Sequence, residues 1–244
     1  MREQPRRSPV YSRAVDESAT AEPAPRPAAT VVLIRSAPDR VGLQVLLLRR
    51  SSQLAFYGGA WVFPGGRIDS ADGDAADADA ERAARTAAVR ELREESGLTV
   101  VTSELVHFAQ WLTPPGRPRR FDTWYFAARA PEGIVQVDRG EVDDHRWMTP
   151  REALQTRASG AIELPPPTFV TLAQLAVHAD ADAAYEALRC AGPRRYVPRP
   201  CEVEDGIAYL YEGDAGYAAR EPHAPGARHR LTALAQGWRY EVGA

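Results

Sequence analysis

Residues 84–98 read ARTAAVRELREESGL, and this stretch decides how the rest of the chain is read. Glu91 and Glu94 are three positions apart and Glu91 and Glu95 four, so a helix carries all three carboxylates on one face. Ala84, Ala87, Ala88 and Leu92 form the opposite, apolar side. Three carboxylates on one face repel one another unless cations neutralise them. Arg90 supplies one fixed positive charge. A divalent ion supplies more, and oxygen donors alone suit Mg²⁺ or Mn²⁺ rather than zinc. Gly97 offers the left-handed residue that ends a helix, and Leu98 packs back onto it. The pattern predicts a helix over residues 77–96.

Upstream, residues 61–66 read WVFPGG. Gly65 and Gly66 permit a tight turn and close backbone approach to a ligand. An acidic helix face alone is commonly just solvated. A glycine loop feeding that helix changes the balance, because main-chain carbonyls and carboxylates can then surround one metal.

These two segments resemble the signature of the Nudix hydrolases. That signature is a Gly, five residues, a Glu, seven residues, then Arg-Glu-hydrophobic-any-Glu-Glu-any-Gly-hydrophobic. Its second half stands here as Arg90, Glu91, Leu92, Arg93, Glu94, Glu95, Ser96, Gly97, Leu98, and its first half begins as Phe63, Pro64, Gly65, Gly66. The signature puts its Arg fourteen positions after its Gly, whereas Gly66 to Arg90 is twenty-four. About ten extra residues lie within DSADGDAADADAE. Counting back from Arg90 puts the signature's first Glu at position 82, which is Arg82. Glu81 is adjacent, but one residue is about 100° of helix. The resemblance covers roughly residues 28–158.

The resemblance implies an α/β/α sandwich with a mixed sheet. A flexible arm is expected over residues 1–28 and the Nudix domain over 29–158, with its insertion at 67–80. A C-terminal extension of helices and short strands, 159–244, is expected to pack on that core. The implied chemistry is hydrolysis of a pyrophosphate bond in a nucleoside diphosphate linked to another group, with Mg²⁺ or Mn²⁺ as cofactor. By position, Glu94, Glu95 and Glu91 are implied metal ligands, Glu91 being alternatively the water-orienting base. The Gly65 carbonyl is implied as a main-chain ligand. Arg90 is expected to pair with a carboxylate and hold the helix in register. Glu141, in RGEVDDHRW, leads Asp143 and Asp144 as an additional acid.

Composition sets the class. With 44% hydrophobic and 26% charged residues the chain is an ordinary globular protein. A formal charge of −3 argues against bulk attraction to nucleic acid. The two cysteines, Cys190 and Cys201, make neither a disulfide scaffold nor a zinc site. No apolar run has membrane-spanning length, and MREQPRRSPV is not followed by an apolar segment. A cytoplasmic, soluble enzyme acting on a small nucleotide-type molecule is expected, with no nucleic-acid or membrane partner. Assembly as a homodimer stays open.

Along the chain, ATVVLIR (29–35) and LQVLLLRR (43–50) read as a hairpin. Residues 69–80 alternate Asp and Ala but lack the Gly and Glu that a calcium loop needs at its sixth and twelfth positions. They read as a solvated, dispensable insertion. Residues 99–112 and 121–130 read as strands, and Trp147–Met148 as a short one. Thr149, Pro150 and Glu152 spell a capped helix start. PPP at 165–167 reads as a stop, followed by one or two helices over 168–189. RRYVPRPCEV and GIAYLYEGD read as strands meeting at VEDG.

LLLRRS, WVFPGG, WLTPPGRPRRFDTWYF, HRWMTP and LPPPT together resemble the Nudix group of coenzyme A diphosphatases. That implies coenzyme A or an acyl-CoA as substrate, with Arg50 of an Arg-Ser pair upstream of FPGG as a substrate contact. The chain ends EVGA, without a peroxisomal Ser-Lys-Leu signal. Arg117, Arg119 and Arg120 are candidates to grip a 3′-phosphate or the diphosphate. A pyrophosphatase of ADP-ribose, NADH or oxidised nucleotides is the rival within enzymes. A non-catalytic sensor of the same fold is the rival outside them, and retention of all three glutamates disfavours it.

Overall fold

The computed structural model describes residues 24–37, 42–54, 57–73 and 79–243. The expected arm therefore lies outside the described residues up to residue 23. The chain divides into two compact units. One comprises Arg26–Trp111 with Phe121–Arg195, and the other gathers Leu112–Arg120 with Tyr196–Ala244.

The first unit is built on a mixed sheet. Its strands are β1 (Arg26–Ser36), β2 (Leu43–Arg50), β3 (Trp61–Val62), β4 (Gly65–Arg67), β5 (Val106–Leu112), β6 (Phe121–Arg129), β7 (Val142–Met148) and β8 (Arg194–Tyr196). The order is β3-β2-β1-β6-β5-β8, with β4 beside β1 and β7 beside β2. β1 and β6 run parallel, and the pairs β1–β2, β1–β4, β2–β3 and β2–β7 antiparallel. The hairpin falls where the alternation put it, with Ile34 opposite Val45. The first strand begins three residues earlier than its apolar run, at Arg26. Pro27 at its start is tolerated because a strand's first residues need fewer ladder bonds, and its carbonyl still accepts from the Ile68 N–H.

Helix α1 (Ala80–Ser96) packs by its alanine face. Ala83, Ala84, Ala87, Ala88 and Leu92 share one core with Ala29, Val31 and Leu33 of β1, Leu46 and Leu48 of β2, and Phe126. Alanine there lets the helix approach the sheet closely. Gly97 closes the helix at φ 73°, with its N–H on the Arg93 carbonyl. Helix α2 (Pro150–Ala158) starts with the full capping box, Thr149 and Glu152 exchanging bonds. The three prolines do not stop structure. Pro165 is the N-cap of α3 (Pro166–Leu175), where fixed φ and a missing N–H cost nothing. α4 (Ala181–Ala191) follows and runs against β1, β2 and β6. Residues 98–105 do not extend a strand: Thr102–Glu104 form a single 3₁₀ turn before β5.

The second unit holds an antiparallel sheet in the order β12-β11-β10-β9, made of β9 (Arg199–Val203), β10 (Gly206–Leu210), β11 (Arg228–Leu234) and β12 (Gly237–Gly243). Strands β9 and β10 turn at 204–205 as the sequence predicts. Cys201, Ala208 and Leu210 form its small core. Among the described residues no helix is long and apolar enough to cross a membrane.

Candidate active site

The acidic face of α1 meets the glycine turn of β4. Glu95 is buried at 5% exposure, and its Oε2 accepts the Gly65 N–H at 2.8 Å. Burial pushes its carboxyl up to about 8; the Gly65 N–H and the Arg50 charge oppose the shift, while Glu91 and Glu141 reinforce it. Glu91 is also raised, first by burial, against the pull of Arg90. A Cβ on Gly66 would lie 2.4 Å from the Glu91 carboxylate, and one on Gly65 2.4 Å from the Ala29 carbonyl. Gly65 is therefore required by backbone contact and by its φ of 155°, while a side chain at position 66 would displace the Glu91 carboxylate. Glu94 is the exposed member, with half its side chain in solvent.

Arg90 organises this face. One Nη1 donates to Glu91 Oε1 and to Glu94 Oε2, each at 3.0 Å. Its other edge grips Asp72, with Nε to Oδ1 at 3.0 Å and Nη2 to Oδ2 at 2.8 Å, while Nη2 also reaches the Arg67 carbonyl. Asp72 is buried and accepts the Asp69 N–H as well. Its carboxyl is held below the ordinary range, chiefly by the Arg90 bond and against the cost of burial.

Asp72 is the site residue that sequence reasoning missed. Counting back from Arg90 reached Arg82, which is exposed and paired with Asp79. Counting forward from Gly66 by the signature's own five residues reaches Asp72. The extra residues thus lie after the acid. Glu81 does not replace it, because Arg85 occupies Glu81 at 2.6 Å. The expectation of a solvated insertion fails at Asp72, and that of a helix from 77 is corrected to a start at Ala80. Residues 74–78 lie outside the described residues.

Glu141, at the start of β7, is exposed, and its charge bears on both Glu91 and Glu95. Its carbonyl accepts the Ser51 N–H at 2.7 Å, so the ends of β2 and β7 meet beside the site. Arg50, the last residue of β2, acts on Glu95 through its charge. Arg117, Arg119 and Arg120 belong to the second unit. There Arg117 bonds the Tyr209 hydroxyl, Arg120 donates to the Thr113 carbonyl, and Arg119 is exposed.

The donor set fits a hard divalent cation. Glu95 is a buried acid facing one N–H, with two further carboxylates on the same helix face, and every donor is oxygen. Among the described residues no three acidic, His or Cys side chains are already grouped as a metal cage. Glu91 and Glu94 each accept a bond from Arg90, and Glu95 accepts one from Gly65.

A family model for the NUDIX domain matches residues 24–166. The chain belongs to the Nudix family. It is a pyrophosphohydrolase of that family, and α1 is its Nudix helix. Acyl-coenzyme A diphosphatase NUDT19 of Xenopus laevis is 26% identical, over 71% of this chain and 71% of its own. The Homo sapiens protein of the same name is 33% identical over 46% of this chain and 32% of its own. A crystal structure of a NUDIX hydrolase from Alicyclobacillus acidocaldarius superposes with a TM-score of 0.57 at 24% identity, over 66% of this chain and 96% of that one. That likeness establishes the mixed α/β Nudix fold.

Proposed function

We propose that this Nudix enzyme hydrolyses the diphosphate of coenzyme A or an acyl-CoA. The observation that carries the substrate class is the match to the frog acyl-coenzyme A diphosphatase across 71% of both chains. Cleavage between the phosphates would release adenosine 3′,5′-bisphosphate and (acyl-)phosphopantetheine.

Glu91, Glu94, Glu95 and the Gly65 carbonyl are the proposed holders of Mg²⁺ or Mn²⁺. When bound, such an ion would polarise a phosphate oxygen and lower the pKa of a coordinated water. The chain's own part is placement. Gly65 and Gly66 let backbone and carboxylates approach one point. Arg90, fixed by Asp72, keeps Glu91 and Glu94 on one side of the helix. Glu141 is the proposed additional acid that accepts a proton from the attacking water. The phosphate-gripping role expected of Arg117, Arg119 and Arg120 is kept as part of this proposal.

The test is a panel of coenzyme A, acetyl-CoA, 3′-dephospho-coenzyme A, ADP-ribose, NADH and 8-oxo-dGTP, assayed for kcat/KM with Mg²⁺ and with Mn²⁺. Coenzyme A or acetyl-CoA should lead, and 3′-dephospho-coenzyme A should be poorer. ADP-ribose or NADH winning by about tenfold, some 1.4 kcal/mol of transition-state stabilisation, would overturn the substrate class. Chelation by EDTA should abolish turnover. Glu95→Gln should weaken Mn²⁺ binding measured directly by electron paramagnetic resonance, without reference to activity.

A further inference from the structure

We infer that Arg50 is a catalytic residue, whose guanidinium contacts the reacting diphosphate itself rather than a remote phosphate of the substrate. The inference rests on the pyrophosphohydrolase reading above and deepens it.

The two arginines that end β2 are placed differently. Arg49 lies opposite Asp144 on β7, and Arg50 opposite Val142, so the pairing slips by one residue between them. A bulge of this kind re-aims side chains and is common beside active sites. Arg49 turns outward, with 44% of its side chain exposed and Asp143 3.9 Å away. Arg50 turns the other way: its Nε is buried and meets no hydrogen-bond partner among the described residues. The backbone of Arg50 is meanwhile pinned on both sides. Its N–H donates to the Ala60 carbonyl, its carbonyl accepts from Gly59, and the next N–H, of Ser51, bonds Glu141. The side chain therefore projects from a fixed point.

Its charged neighbours are acids of the site. Arg50 bears on buried Glu95, and the chain of Glu141 adjoins it through Ser51. A buried donor left unspent costs free energy, and an arginine carries five donors in a planar fork matched to phosphate oxygens. A polyanion brought to Glu91, Glu94 and Glu95 supplies the missing acceptors. Neutralising the acids alone would not need an unsatisfied Nε; a direct bond to a carboxylate would serve better, as Arg90 demonstrates.

The step Arg50 assists is balanced as follows. Water oxygen bonds one phosphorus, and the bond from that phosphorus to the bridging oxygen breaks. The bond's electron pair leaves with the bridging oxygen on the departing phosphate. One water hydrogen stays on the new P–OH, and the other passes to Glu141, which then releases it to solvent or to the departing phosphate. Negative charge grows on the bridging oxygen, and a guanidinium aimed there is worth more in the transition state than in the ground state.

The experiment measures Arg50→Ala and Arg50→Lys against coenzyme A and 3′-dephospho-coenzyme A, with Mn²⁺ affinity measured in parallel. Arg50→Ala should lower kcat by about 10²–10³-fold with KM changed by less than about threefold. The loss should be equal on both substrates, and millimolar guanidinium should restore part of kcat. Arg50→Lys should fall between, since it keeps the charge without the fork. Several results would overturn the inference: a loss confined to KM, a loss seen only when the 3′-phosphate is present, or a kcat loss explained by weaker Mn²⁺ binding. If the wild type turns over neither substrate, the coenzyme A reading has failed, which is a separate outcome, and the same kcat comparison is made on whichever diphosphate of the panel leads. Should Arg50→Ala not fold, Arg50→Lys and its substrate comparison still decide.

Discussion

Arg90 and Arg230 each grip one aspartate through two bonds, and they do so to opposite ends. In the second unit, Asp214 accepts Arg230 Nε at 2.7 Å and Nη2 at 2.6 Å, then the N–H groups of His229 and Gly216 at 2.9 Å each. Arg230 spends its remaining amino group on the Pro222 carbonyl. Burial alone would raise the Asp214 carboxyl, but these donors hold it below the ordinary range. Each carboxylate oxygen of Asp214 accepts two bonds, and the pair is architecture. In the first unit, Asp72 holds Arg90 just as firmly, but Arg90 then reaches out to Glu91 and Glu94. There the pair is a bracket for acids proposed to hold the metal. The histidines repeat the contrast. His229 engages both ring nitrogens, with the Glu212 carbonyl and the Tyr240 hydroxyl. His107 lies against Trp124 and Phe126 with its Nε2 unpartnered among the described residues. A saturated polar cluster secures a fold, and an unsaturated one signals a site or a liability.

The largest effect should come from breaking the closed pair. Asp214→Ala strands the buried Arg230 and should cost about 3–5 kcal/mol in denaturant unfolding. Replacing both, Asp214→Leu with Arg230→Met, should recover most of it, since an apolar pair leaves no orphan charge. A single substitution costing no more than the double would erase the distinction.

Opening the bracket should act on rate more than on stability. Asp72→Ala should lower kcat/KM about 100-fold, some 2.7 kcal/mol, while unfolding loses only about 1–2 kcal/mol. Asp72→Glu should keep most of the rate. Deleting 70–76 removes the same carboxylate and should match Asp72→Ala; unimpaired turnover would place the holding of Arg90 elsewhere.

A smaller effect concerns His107. Burial is the main cause that lowers its pKa, so the folded ring resists protonation while the unfolded one takes a proton near 6.5. The unfolded state then binds more protons within that window. Stability should be full above pH 6.5 and decline as pH falls toward the depressed folded value. His107→Phe, which keeps the aromatic packing, should flatten that slope; an unchanged pH profile of melting would assign it to other groups. Smallest of all is Arg82→Ala. Arg82 and Asp79 are exposed, so neither melting temperature nor kcat/KM should move measurably.

What was legible in the sequence is what repeats or punctuates. The three-and-four spacing located α1 and its carboxylates, Gly97 its end, and Thr149–Glu152 the start of α2. The apolar run located β2 to the residue. Asp72 stayed hidden because its partner is eighteen residues away and its neighbourhood looks uniformly polar. One buried aspartate among five similar ones has no local signature. The prolines at 165–167 misled for a different reason: the same ring that stops a helix from within is well suited to begin one. Arg50 was visible as a position, but the slip that separates it from Arg49 is a property of pairing, which no single strand records.

The place of the extra residues has a practical consequence. Among the described residues, the contacts that hold Arg90 from the side of the glycine turn come from Arg67, Asp69 and Asp72, upstream of residue 73. Helix α1 begins afresh at Ala80. The stretch from 73 to 79 is therefore a natural docking port for protein engineering. Lengthening a connection between two fixed ends is cheap, each doubling costing only about 0.6 kcal/mol of closure entropy. An epitope, a fluorophore-binding tag or a whole small domain grafted there should leave the catalytic bracket intact and report on it from close by.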